Sequence, residues 1–196
     1  MVGLLKMVKL ENRYLTDLKE ILFDKGWLKT CPDFTVYQVK RGVKYKDCLR
    51  YDETSVFPRL LGKEFPKTKG HEHPKECLEL IEVLKGKAIF LLQKDEKNTI
   101  EDAYFIKAKK GQALISPQGY SHTTINNSGK ELKIGTWILD SCESDYKNIK
   151  RYEGFCYYYT TSGWKKNKSY KRVPKLKEKK PLKSFPKNLD FLNCWF

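Results

Sequence analysis

The chain has 196 residues and a mass of 23.1 kDa, room for one ordinary domain with extensions. A hydrophobic content of 40% with 13% aromatics excludes a disordered chain, and no run of about 20 apolar residues is present to cross a bilayer as a helix. Ten of the fifteen net positive charges lie between Lys165 and Lys187, where eleven Lys or Arg face one acid, Glu178; the basicity belongs to a tail, not to a groove in the core.

In chain order, the opening MVGLLKMVKL is apolar but broken by Lys6 and Lys9, with no small-residue cleavage site after it, so a cytoplasmic location is expected. The spacing of Leu15, Leu18, Ile21 and Leu22 predicts a helix from Asn12 to Trp27, stopping at Gly26. From Phe34 the pattern changes to short strands. The run from Phe34 to Val39 is rich in β-branched and aromatic residues, and Ser55–Leu61 is a second candidate. Strands at 78–84 and 88–93 flank a tight hairpin at Lys85-Gly86-Lys87, with a polar turn at 94–98. Further strands are predicted at 103–108, 113–116, 123–125 and 132–139, each bounded by Gly, Pro, Asn or Lys.

Many short strands without intervening long helices predict an all-β sandwich or barrel. The expected organisation is a helical extension at 1–33, a barrel at 34–159 and a basic extension at 160–196. The tail carries Pro174, Pro181 and Pro186 among its lysines and lacks a core of its own; its apolar end, Phe191 to Phe196, is expected to dock on the barrel or on a second subunit. The aromatic run Phe155 to Tyr159 reads as core or dimer surface rather than a platform for stacked bases. Cys31, Cys48, Cys77, Cys142, Cys156 and Cys194 form no CxxC pair, so free thiols are expected.

All three histidines fall in two short segments. The first is Gly70-His71-Glu72-His73-Pro74-Lys75-Glu76-Cys77-Leu78-Glu79, and residues two apart in a strand share a face, so His71 and His73 can both turn toward one ion. The second runs Gly111 to His122 and on to Asn126, and its imidazole completes a mixed nitrogen and oxygen site with a carboxylate, Glu79 or Glu76. Cys77 shares the parity of these residues and is expected as a neighbouring thiol rather than a ligand.

These two segments resemble the two motifs of the cupin superfamily. The second matches throughout, as Gly, five residues, Pro, one, Gly, two, His, three, Asn. The first matches in His-x-His and in Glu79, which precedes Gly86 by six intervening residues; this spacing favours Glu79 over Glu76. Its gap of five residues between His73 and Glu79 exceeds the usual cupin three or four. Together with Lys63-Glu64-Phe65, Thr68-Lys69-Gly70-His71, Leu84-Lys85-Gly86-Lys87 and Leu91-Leu92-Gln93, it makes residues 12 to 150 similar to the archaeal cupin-type glucose-6-phosphate isomerases.

The resemblance implies a double-stranded β-helix (jelly-roll) barrel and one divalent transition metal, Fe, Mn, Ni or Zn, on His71, His73, Glu79 and His122. It places a sugar phosphate near Tyr37, Thr54, Thr68, the Gly70 backbone and Tyr146. Where the family carries tyrosines, this chain has Ile81 and Ile138. The implied reaction is aldose–ketose isomerisation of glucose 6-phosphate and fructose 6-phosphate through a cis-enediol, with Glu79 as general base; a metal-assisted hydride shift is the alternative route. A homodimer is implied, with no membrane partner and no nucleic-acid partner beyond what the basic tail leaves open. Alternative readings are another cupin enzyme (a different sugar-phosphate isomerase or epimerase, or a dioxygenase) and a non-catalytic metal- or sugar-binding cupin.

Overall fold

The structure is a computed structural model and describes residues 7–73 and 77–192. The opening residues 1–6, the rival ligand Glu76, and 193–196 with Cys194 lie outside the described residues. No helix among the described residues is long and apolar enough to cross a membrane.

Two sheets face each other across one core. The larger has six strands in the order β1 (Lys9–Tyr14), β2 (Thr35–Lys46), β3 (Leu49–Val56), β10 (Leu132–Leu139), β5 (Glu79–Lys85) and β8 (Ala113–Ser116). The smaller has β13 (Lys177–Lys179), β7 (Thr99–Lys109), β6 (Lys87–Glu96), β9 (Ser121–Ile125) and β4 (His71–Glu72). The barrel strands of both sheets pair antiparallel; only β13 runs parallel, along β7. Phe90, Leu91, Ile89 and Phe155 are fully buried in the core. This is the all-β architecture that the strand spacing implies, in the jelly-roll form that the resemblance implies.

The predicted helix is replaced by a strand and a 3₁₀ turn. Residues 12–14 belong to β1, and the helical piece is a 3₁₀ helix at Leu15–Ile21, followed by a shorter one at Trp27–Lys29. Leu15, Leu18 and Ile21 are buried at intervals of three, which is the 3₁₀ repeat, so one eclipsed row faces the core. Glu64 and Lys67, both buried, clamp this segment: Lys67 donates to Glu64 and to the Ile21 carbonyl, and Glu64 accepts from the Phe23 amide.

The strand expected at Ser55–Leu61 lies earlier, at Leu49–Val56, because Pro58 has no amide for a ladder. The turn expected at 94–98 narrows to Lys97-Asn98, since β6 and β7 extend to meet it. Unexpected from pattern are α1 (Lys147–Arg151) and the hairpin of β11 (Tyr157–Thr160) with β12 (Gly163–Lys166). In the run from Phe155, the first four side chains are buried, and Tyr159 stacks on Phe65.

The basic tail returns to the barrel. Its leucines Leu182, Leu189 and Leu192 join Leu49, Leu80 and Ala113 in a second apolar cluster on the outer side of the large sheet, and the Leu182 amide donates to the Ala113 carbonyl. Its lysines face outward: Lys177 pairs with Asp102 and Lys179 lies over the Tyr104 ring.

Candidate metal centre

His71 and His122 are direct cross-strand partners on β4 and β9, and Glu79 opens β5 opposite Ser116 of β8. His73 follows β4 by one residue. The four side chains therefore converge from both sheets at one end of the barrel, with one donor atom from each lying within 4.8 Å of the others. His73, Glu79 and His122 are buried, while His71 is partly open to the cavity.

The donor separations fit a single first-row ion. Ligand atoms about 2.1 Å from one ion stand ~3.0 Å apart when adjacent and ~4.2 Å apart when opposite in an octahedral site. Here His71 Nε2 to His73 Nε2 is 2.9 Å, His73 Nε2 to Glu79 Oε2 is 3.0 Å and His122 Nε2 to Glu79 Oε2 is 2.9 Å. His71 Nε2 and Glu79 Oε2 are 4.0 Å apart. Three imidazole nitrogens and one carboxylate oxygen are a donor set that suits such an ion.

Outer contacts orient these rings. His73 Nδ1 meets the Glu143 carbonyl at 2.9 Å, an acceptor, so Nδ1 carries the proton and the Nε2 lone pair points into the centre. His122 Nδ1 pairs with Ser116 Oγ at 3.0 Å. The Glu79 carboxyl is held well below its usual range: burial opposes ionisation, but the charges and hydrogen bonds of His122 and His73 outweigh it. His71 is pushed well below the usual histidine range by burial and by the neighbouring His122 and His73, with Arg41 adding to the effect. His73 is burdened by burial as well, yet its bond to Glu79 raises it.

Gly70, just before the first ligand, has φ of +72°, and a Cβ there would collide with the Phe155 ring and the His122 carbonyl. A side chain at this position would force the ligand strand off the barrel.

The cavity above the four ligands brings together every residue expected at the sugar phosphate: Tyr37, Thr54, Thr68, Gly70 and Tyr146 all line it. Tyr37 Oη accepts from the Lys69 amide at 3.3 Å, and Thr68 Oγ1 meets Thr123 Oγ1 at 3.2 Å. The Tyr146 ring stands 5.9 Å from His71. Burial lowers the Lys69 ammonium from its usual value, with Lys150 and Arg13 adding to the shift and Glu20 and Asp17 opposing it. Ile81 and Ile138 line the cavity as apolar groups.

Two features of the site were not anticipated. Cys77 and Cys142 form a disulfide, which corrects the expectation of free thiols for that pair; their Cα atoms are 6.4 Å apart although 65 residues separate them in sequence. The Glu72–Asp145 backbone bridge and the His73–Glu143 bond hold the two segments side by side, and no local pattern encodes that proximity. Cys31 and Cys156 remain thiols. Arg13, Arg41, Arg50 and Asp52 also line the cavity. Only Arg50, Asp52 and Thr54 left a signal, their period-2 spacing along one strand.

The sequence matches the family model described as glucose-6-phosphate isomerase (GPI) over residues 13–175. Among curated relatives, the glucose-6-phosphate isomerase of Thermococcus litoralis is 33% identical over 135 residues, covering 65% of this chain and 68% of the relative. That of Thermococcus onnurineus is 30% identical over 159 residues, covering 78% of this chain and 81% of the relative. Among solved structures, an oxalate oxidase in complex with the substrate analogue glycolate aligns over 54% of this chain and 49% of its own at 14% identity, with a TM-score of 0.44, too remote to bear on chemistry.

Proposed function

The chain belongs to the cupin-type glucose-6-phosphate isomerase family, and we propose that it interconverts glucose 6-phosphate and fructose 6-phosphate at a metal centre held by His71, His73, Glu79 and His122. The observation that carries this reading is the convergence of four donor atoms, three of them on buried residues, within 4.8 Å at the floor of a cavity whose rim bears Tyr37, Thr54, Thr68, Gly70 and Tyr146. When bound, a divalent Fe, Mn, Ni or Zn ion supplies Lewis acidity for negative charge on the sugar oxygens.

The protein's own groups then move the protons. Glu79 turns Oε2 to the imidazoles, and Oε1 takes the C2 proton of the open-chain aldose. The C2–H electron pair forms the C1–C2 double bond while the carbonyl electrons move to O1. A proton passes from O2 to O1, C2 becomes the ketone, and Glu79 returns its proton to C1. The threonines, the Gly70 amide and the two tyrosines hold the phosphate, and Lys69 and Arg13 supply positive charge at that rim.

The assay is turnover of fructose 6-phosphate by protein reconstituted in turn with Mn, Fe, Ni and Zn, with His122→Ala as control. Turnover that His122→Ala abolishes supports the reading; no turnover with all four metals overturns it. The chain also reads as a homodimer: β1 is a sheet edge that exposes Val8, Leu10 and Tyr14. A monomeric mass by analytical ultracentrifugation would remove that part.

A further inference from the structure

Part of the cavity wall, on the large sheet that also carries Glu79, is built from charge. Along β3, Arg50, Asp52 and Thr54 point inward in alternation, and β10 sets Ile138, Thr136 and Ile134 beside them. Asp52 is a hub: it accepts the Gly42 amide at 2.8 Å, Arg50 Nε at 2.9 Å and Arg41 Nη1 at 3.2 Å. Arg41 reaches the hub because β2 bulges between Lys40 and Lys44, with Gly42 at φ of +69°, which turns the preceding side chain into the cavity. Arg41 is braced a second time by Glu11 (3.2 Å), and Arg50 a second time by Asp140 (3.0 Å).

Three carboxylates, Glu11, Asp52 and Asp140, thus fix two guanidinium groups at two points each. Asp52 is saturated by its donors and has little capacity left for a sugar hydroxyl. Arg50 meets its acids through Nε and Nη1, so Nη2 is the nitrogen those acids do not take up. Arg50 is paired with Ile138, and Ile138 follows Trp137, which is paired with Leu80 next to Glu79. Two strand spacings, about 10 Å of backbone, separate Arg50 from Glu79 along the inner face of one sheet. The end of a sugar chain fits between a guanidinium and a carboxylate reaching inward over that distance. An ion-pair network serving only stability has no need to line a binding cavity, and a braced guanidinium needs no reorganisation when charge develops beside it.

We propose that Arg50 is a catalytic residue of this site: its guanidinium donates to O1 and O2 of an open-chain sugar lying between it and Glu79, and stabilises the negative charge on O1 as the C2 proton leaves. Arg41 shares this wall, and Asp52 is the positioning residue that aims both. The inference rests on the isomerase reading and adds to the metal centre a second source of oxyanion stabilisation.

The test uses the full-length, metal-loaded protein with Arg50→Gln, Arg50→Lys and Asp52→Asn. Measured for each are metal content, kcat and KM for fructose 6-phosphate, and affinity for an aldonate phosphate, whose carboxylate mimics the enediolate. At full metal content, Arg50→Gln is expected to lower kcat by about 10²-fold and weaken the aldonate by a similar factor, with KM changed less than about threefold. Arg50→Lys, which keeps charge but loses the fork, is expected to recover about tenfold of that. Asp52→Asn is expected to fall between them. Arg50→Gln with full metal content and wild-type kcat overturns the inference, leaving a structural network. If Arg50→Gln loses its metal, Arg50→Lys decides: a kcat reduced tenfold at full metal content supports the assignment, and a wild-type kcat overturns it. Wild-type protein without turnover overturns the isomerase reading instead, and aldonate affinity compared by calorimetry then still judges Arg50, with equal binding in both proteins counting against it.

Discussion

The two walls of the cavity solve different electrostatic problems. On the ligand wall, three imidazoles surround one carboxylate, and the outer shell consists of neutral groups, Ser116 Oγ and the Glu143 carbonyl. On the arginine wall, every carboxylate meets a guanidinium, and Glu11 is lowered from its usual value because Lys9, Arg41 and Arg13 outweigh its partial burial. The first wall is built to gather round an added cation; the second is neutralised in advance. Pairing of this kind lets charged groups line a buried surface without carrying an uncompensated charge.

The largest effect that would sharpen this contrast lies on the ligand wall. Glu79→Gln removes the anion from the centre and, on the proposed mechanism, the proton carrier from the reaction, and is expected to lower kcat by about 10³-fold with loss of metal. Retained metal and near-wild-type kcat would show that Glu79 fills neither role. Next is the disulfide that ties the ligand segment to the strand end bearing Asp140. The double variant Cys77→Ser with Cys142→Ser opens a link between residues 65 apart. It is expected to lose up to about 4 kcal/mol of stability, read as a fall in denaturation midpoint. An unchanged midpoint would mean that the noncovalent Glu72–Asp145 and His73–Glu143 contacts suffice.

A smaller change tests the neutral outer shell. Ser116→Ala removes the partner of His122 Nδ1 and is expected to weaken metal affinity about tenfold by competition with a chelator, with little change in fold stability. Affinity equal to wild type would show that strand packing alone orients that ring.

The smallest effect concerns Asp95, beside the ligand strand, with no ion pair to a cation among the described residues. Burial raises its carboxyl to about 6, against hydrogen bonds from Gln93 and Ser121 that lower it. With its folded value raised, the stability it contributes is full below about pH 4 and is lost as pH rises through 6. Asp95→Asn is therefore expected to raise the melting temperature at pH 8 and to change it little at pH 4. A gain confined to acid pH would reverse the assignment. Glu11→Gln on the arginine wall should show the opposite sign, costing stability at neutral pH and less in acid.

The contrast between the walls also explains what could be read from residue order. His71, His73, Glu79 and His122 lie in segments whose spacing carries the information: a strand puts alternate residues on one face, and two such segments point to three imidazoles and a carboxylate, with the motif resemblance choosing Glu79 over Glu76. Strand positions from 79 to 139 were legible for the same reason, and β10 falls where its pattern put it. The N-terminal segment was misread because Leu15, Leu18 and Ile21 satisfy the three-residue 3₁₀ period and the first steps of an α-helical stripe equally well. The arginine wall was hidden by a bulge, which breaks the alternation that would have put Arg41 on the same face as Asp52.

By itself the sequence determined an all-β barrel and a candidate metal centre, because hydrophobic alternation and ligand spacing are local properties of the chain. Only the tertiary structure decided the Cys77–Cys142 bond, the burial of the tail's leucines and the Glu11–Arg41–Asp52–Arg50–Asp140 network. Each of these depends on which strands become neighbours and in what register, and pairing between distant segments leaves no periodic trace in either one.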